Sequence, residues 1–377
     1  MVVTRRPTGT AQPHRFVALD SLRGLAAVGV VLFHLPGLGP VGNSALARSG
    51  YLFVDFFFVL SGFVIAASYG DRLAQGFSRS RFAALRLGRV YPLHIVMVGA
   101  YLVAAVAIMR PAFADGRDLT DLFRAILLLD GYALTRTNYY NGQSWSISVE
   151  LLLYAGAAIL MGRGRLGIAI AGVLAVAAMA SLLSGWQVPV WSTNVQRGIC
   201  GFTLGAGTFV LFRKGFGARL PAGLAEGATV AIAIGFLIWA EQIGTLRWLV
   251  VFPFAALVLV FARDAGPLSR MLATRPMMAL GRWSYSIYLT HPFLLGLTGH
   301  LALMAGFATG RGGADPILAR LILPEGGQTA VLLGYLALVV GVSALTYALI
   351  EEPGRKWSKR WAARWGAPGA ERVAPTI

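Results

Sequence analysis

Apolar windows of about twenty residues, the helix length that crosses a bilayer core, recur ten times along the chain. They lie near 16 to 35, 51 to 69, 90 to 109, 146 to 161, 166 to 184, 197 to 212, 224 to 240, 246 to 262, 280 to 299 and 328 to 350. The pattern predicts an all-α, polytopic integral membrane protein with about ten transmembrane helices. The connecting segments are short except for 110 to 144 and about 300 to 327, which are rich in Gly, Asp, Asn and Arg and unable to bury a core of their own. The chain divides accordingly into a tail over 1–15, a membrane domain over 16–350 and a basic tail over 351–377. No internal repeat is evident.

Composition supports this division. Of 377 residues, 56% are hydrophobic and 13% charged, against about 25% charged in a soluble domain. That excludes an ordinary soluble enzyme, and the aromatic content, spread along the whole chain, excludes disorder. A net charge of +17 would point to nucleic acid in a soluble protein, but in a membrane protein it records topology. With the N-terminus inside, and residues at the window ends counted with the adjoining segments, 23 of the 33 basic residues fall on internal segments and nine on external ones, leaving Arg23 alone well within a span. Both termini are therefore expected in the cytoplasm, in a multi-pass protein of the cytoplasmic (inner) membrane with lipid, not nucleic acid, as its surroundings. The lone Cys200 excludes an intramolecular disulfide and a multi-cysteine metal site, and no metal is expected. The run after Arg15 is expected to remain as the first span, because a cleavable leader should not contain Asp20, Arg23 and His34.

Ionisable groups inside spans are expensive, so each requires a partner, a cavity or a role. In LDSLRGLAAVGVVLFH, Arg23 and His34 are eleven residues apart, about 1100° of helical rotation, which puts them on nearly the same face with about 16 Å between them. Asp20 lies close to that face, and an Asp20–Arg23 ion pair is one reading of it. The second span brings Asp55 to nearly the depth of His34. In SWSISVE, Ser146, Glu150 and Tyr154 follow at i, i+4, i+8, with Trp145 either an interface anchor or part of the same site. In GRWSYSIYLTHPF, Ser284, Tyr288 and His291 recur at i, i+4, i+7, and Pro292 is expected to bend the helix. On the cytoplasmic side Arg86 and Arg89 share a helix face at the membrane entry, a geometry suited to bidentate phosphate binding. The arrangement suggests a group passed across the membrane, from a cytoplasmic basic cluster to an outer cluster of His34, Asp55, Glu150 and His291.

These residues resemble acyltransferase family 3, integral membrane enzymes that move acyl groups from coenzyme A thioesters to hydroxyls of sugars and other envelope or secreted acceptors. The resemblance spans about residues 14 to 355. It rests on Arg-x10-His (Arg23, His34), FVDFFFVLSGFVIA, the RxxR of Arg86 and Arg89 before YP, SWSISVE, SYSIYLTH and a closing EEP at Glu351 to Pro353. It implies that His34 is essential, that Arg23 accompanies it and that Arg86 and Arg89 serve the donor, with acetyl-CoA or another acyl-CoA as donor and a surface polysaccharide as the commonest acceptor. The SGNH domain fused in some members of that family is not expected in this chain. Independently, an imidazole held by a carboxylate is suited to deprotonating a sugar hydroxyl. His34 is thus expected as general base with Asp55 or Glu150 as its orienter, Arg23, Arg86 and Arg89 as donor-binding charges, and Trp145, Ser146, Ser284, Tyr288 and His291 on the acceptor side. A route through an acylated His34 is equally compatible. The alternative in another class is a proton-coupled transporter or flippase using the same His, Asp, Glu and Arg.

Overall fold

The computed structural model describes residues 15–107, 119–132, 140–186, 191–304 and 325–364. The described residues are helical, with no strand among them. The main helices are α1 (Val17–Phe33), α2 (Phe53–Ile65), α3 (Arg79–Ala107), α4 (Leu119–Ile126), α5 (Trp145–Leu160), α6 (Gly164–Ser184), α7 (Thr193–Arg213), α8 (Ala222–Trp239), α9 (Val251–Phe261), α10 (Arg275–Met304), α11 (Glu325–Thr346) and α12 (Glu352–Ala363). Each expected apolar window coincides with one of these. Among the described residues, seven helical runs are long and apolar enough to cross a membrane. One of them, Gly142–Ser184, carries both α5 and α6 around the 3-10 turn Met161–Arg163. Neither α1, only 17 residues long with Asp20 and Arg23 in it, nor the polar-striped α10 is among the seven. The helix α10 continues through Pro292. The tails over 1–14 and 365–377, and 108–118, 133–139, 187–190 and 305–324 between them, lie outside the described residues.

Polarity is distributed as a lipid solvent demands. Large aliphatic side chains on α6 face outward, Ile168 at 73% and Val176 at 71% exposure, whereas Asp55, His94, His291 and Glu351 are buried. Backbone polar groups are satisfied within helices, and the buried charges Asp55 and Arg197 pair with each other. Two π-helical turns interrupt the ladder: Ala66–Gly70 after α2 and Tyr347–Glu351 after α11. Such turns are frequent at functional sites, and these two carry Tyr69 and Glu351.

The contact between α1 and α10 sets the geometry of everything that follows. A Cβ on Gly24 would lie 2.5 Å from the carbonyl carbon of Leu280, and one on Gly281 would lie 2.4 Å from Asp20 O. The two glycines let the backbones touch, which no side chain would permit. The N-terminus of α1 is closed from a distance: Asp264, in the left-handed region at φ 50°, accepts from Val17 N at 3.1 Å and Ala18 N at 2.7 Å. Asp264→Ala leaves two helix-end donors without their acceptor and is expected to cost about 1 to 2 kcal/mol. Thermal unfolding of the detergent-solubilised protein measures this, and an unchanged midpoint would refute the cap.

Candidate active site

In the N-terminal half of α1, Arg23 Nη2 lies 3.3 Å from Asp20, which also pairs with Arg15 at 3.5 Å. Arg23 Nε donates to Ser284 Oγ at 2.8 Å and Nη2 to Gly281 O at 2.9 Å. Ser284, expected on the acceptor side, is thus a partner of Arg23 at the opposite end of the α10 stripe from His291. Arg86 Nη2 donates to Tyr69 OH at 3.1 Å, and its guanidinium sits 4.9 Å from the Tyr69 ring centroid. Arg89, on the next turn of α3, lies in the electrostatic field of Tyr154, Glu150, Glu351 and Asp20.

Arg23, Arg86 and Arg89 line a cavity of about 100 Å³. Its wall continues past Ser61, Glu150 and Tyr154 to Ser146 and Tyr288. Midway, Glu150 Oε1 accepts from Ser61 Oγ at 2.7 Å and from Tyr154 OH at 2.5 Å. At the far end Ser146 Oγ and Tyr288 OH are 2.9 Å apart, and each lies 3.3 Å from Gln143 O. This hydrogen-bonded layer separates the cavity from His34.

His34 caps the C-terminus of α1 beyond that layer. Its Nδ1 lies 2.9 Å from Val30 O, one turn back, and its Nε2 lies 2.9 Å from Gln143 Nε2. His291 Nε2 approaches the same Nδ1 at 3.4 Å, while His291 Nδ1 is 3.1 Å from Ile287 O. A carbonyl accepts only, so both histidines carry their proton on Nδ1 and His34 Nε2 holds the lone pair. The α1–α10 approach brings the two imidazoles to 4.9 Å between centroids, and Tyr335 OH fixes the α10 backbone by donating to His291 O at 2.5 Å.

The expected orienting carboxylates are elsewhere. Asp55 is held bidentately by Arg197, Oδ1 to Nε at 3.1 Å and Oδ2 to Nη2 at 2.7 Å, and Glu150 is committed to Ser61 and Tyr154. The reason is azimuthal: matching depth along α1 and α2 does not place two side chains on facing sides, and a fully buried carboxylate takes the cation within reach. Arg197, one of the nine basic residues counted on external segments, is a buried residue of α7 packed between Trp145 and Trp248, with its guanidinium 5.4 and 5.1 Å from their ring centroids. Trp145 therefore supports the ion pair. Gln143 escaped the sequence reading because it sits in a 3-10 turn (Gly142–Ser144) without helical periodicity. The Asn141-Gly142 pair before it was an available turn signal, and Asn141 does adopt φ 65°. The same turn is anchored by Ser144 Oγ, which donates to Asp130 at 2.8 Å. Burial pushes the Asp130 carboxyl up, partly offset by that bond. Among the described residues no group of three or more His, Cys, Asp or Glu is placed to hold a metal ion.

Outward-facing aliphatic helices around a polar interior, with a charged cavity leading toward a histidine pair, define a multi-pass membrane protein with an enclosed polar site. A family described as the acyltransferase domain matches residues 16–350, and the chain belongs to that family, acyltransferase family 3, as a membrane acyltransferase. It is similar to BcsY of Komagataeibacter xylinus, which carries the name membrane-bound transacylase, at 28% identity over 91% of this chain and 83% of that protein. The acyltransferase MdmB of Streptomyces mycarofaciens is 28% identical over 78% of this chain and 83% of its own length. The exopolysaccharide production protein ExoZ of Rhizobium meliloti is 25% identical over 80% of this chain and 88% of its own. No solved structure matches significantly.

Proposed function

We propose that the enzyme moves an acyl group, acetyl in the first instance, from a cytoplasmic acyl-coenzyme A to a hydroxyl of an extracytoplasmic or exported acceptor, a sugar of a cell-surface polysaccharide. In this reading both termini are cytoplasmic, the protein sits in the inner membrane, and 16–350 is the catalytic unit. One observation carries it: a single cavity joins the arginines at one end to the Ser146–Tyr288 layer beneath His34 at the other. Arg23, Arg86 and Arg89 supply charge for an anionic donor, and the exopolysaccharide relative agrees with a polysaccharide acceptor.

His34 keeps its Nδ1 proton on Val30 O and uses Nε2 as the base. The acceptor hydroxyl gives its proton to Nε2 as its oxygen bonds to the thioester carbonyl carbon. The carbon–sulfur bond breaks, and His34 returns the proton to the leaving thiolate, restoring the neutral imidazole. The Gln143 amide stands where the acceptor hydroxyl must arrive, so it gives way on acceptor binding. Tyr288 and Ser146, which border the same layer, open for the acyl end of the donor.

The test is donor binding by the purified protein across a panel of acyl-CoA thioesters, with an Arg86→Ala/Arg89→Ala variant beside it. One thioester is expected to bind best, with affinity falling about tenfold or more per guanidinium removed. If the folded protein binds none of the panel, the donor assignment fails, and uptake assays in vesicles take its place.

A further inference from the structure

An arginine that the reading above does not use shares the Tyr69 ring with Arg86, one of the residues lining the cavity. Arg72 lies one turn beyond the π-helical turn that carries Tyr69, with its guanidinium 4.0 Å from the Phe77 ring centroid and 5.2 Å from that of Tyr69. Tyr69 is also the platform and hydrogen-bond partner of Arg86, so the two guanidiniums share one aromatic base. A cation on a ring face is held without using its N–H donors, which lie in the guanidinium plane. Arg72 Nη1 and Arg86 Nε are accordingly buried, with no hydrogen-bond partner among the described residues. The neighbouring carboxylates are committed to other cations, Asp71 to Arg213 at 3.1 Å and Glu352 to Lys356 at 3.3 Å. Lys359 of α12 lies in the field of Arg86 and adds positive charge there.

Buried guanidinium donors without acceptors, fixed in orientation, match a phosphate monoester: a compact dianion with several acceptor oxygens. The order of the cations then corresponds to the covalent order of the donor. Arg86 lines the cavity that takes the pantetheine arm, so the diphosphate attached to that arm falls to Arg86. Arg72, on the same platform but not among the residues that line the cavity, falls opposite the ribose.

We propose that Arg72, seated on Phe77, is the subsite for the ribose 3′-phosphate of the donor nucleotide, so that the enzyme distinguishes coenzyme A thioesters from their dephospho counterparts. This rests on the donor reading above. The subsite sets specificity and takes no part in the chemical step.

Binding of coenzyme A and of 3′-dephospho-coenzyme A to the full-length protein in phosphatidylcholine nanodiscs tests it. Wild type is expected to prefer coenzyme A by about tenfold or more, the value of one charge-assisted bond. In Arg72→Ala that preference should vanish while affinity for the dephospho form stays unchanged. Arg72→Lys, which keeps the charge but loses the planar fork, should retain part of it, and Phe77→Leu, which removes the platform, should weaken it. Equal losses for both nucleotides in Arg72→Ala, or an undiminished preference, would overturn the subsite. If neither nucleotide binds folded wild type, the donor reading fails and the subsite with it. An anionic lipid headgroup offers similar phosphate chemistry. If phosphatidylglycerol in the disc abolishes coenzyme A preference in wild type, the arginine serves the lipid surface and the proposal is wrong.

Discussion

His34→Ala is expected to lower acyl transfer by about 10²- to 10⁴-fold, the range for loss of a general base, while donor affinity changes little. The separation follows from position. His34 lies beyond the Ser146–Tyr288–Gln143 layer, whereas the cationic residues that line the cavity are at its other end. Val30 O and Ile287 O fix both imidazoles with their protons on Nδ1, so the His34 lone pair points at Gln143, where an acceptor would sit. A carboxylate is not needed to set this tautomer, because the α1 backbone already does so. Steady-state transfer to an acceptor and equilibrium binding of the donor, measured on the same preparation, check the prediction. Transfer within tenfold of wild type would exclude His34 as base. An acyl group trapped covalently on His34 in wild type would replace direct transfer with a relay.

Asp55→Ala and Arg197→Ala are each expected to destabilise the protein by about 3 to 5 kcal/mol, the cost of leaving one buried charge without its partner. Asp55 is 1% exposed and Arg197 6%, and their bidentate contact joins α2 to α7. Trp145 of α5 and Trp248, in the 3-10 segment before α9, flank the guanidinium. Removing both charges together should recover part of the loss, since neither is then stranded. The unfolding midpoints of the two single variants and the double variant, in detergent, form the test. If Asp55 is instead a catalytic carboxylate, Asp55→Asn will abolish transfer with the midpoint unmoved, and the structural assignment of the pair is wrong.

Much of the architecture was legible because its causes are local. A run of about twenty apolar residues must become a helix in a bilayer, since lipid offers the backbone no other hydrogen-bond partners. The ten apolar windows all coincide with helices for that reason. The 3.6-residue period likewise put Arg23 and His34 on one face of α1, and Ser284, Tyr288 and His291 on one face of α10. The approach of Glu150 to Ser61 and Tyr154 is half local, with Tyr154 at i+4 on the same helix and Ser61 supplied by α2.

Which residue of one helix meets which residue of another is a separate matter. By spacing alone Asp55 is expected near the depth of His34, but the rotation of α2 about its axis, set by packing against α7, turns Asp55 to Arg197. Gln143 reaches His34 only because Asn141 takes a left-handed backbone that bends the chain into the site. The sequence by itself determined the helices, their polar faces and the residue types available for acyl transfer, all governed by spacing along one chain. The tertiary structure alone decided that His291 and Gln143, and neither Asp55 nor Glu150, meet His34. That choice depends on how closely Gly24 and Gly281 let two backbones pack, and on azimuth between helices, which the period of a single helix does not encode.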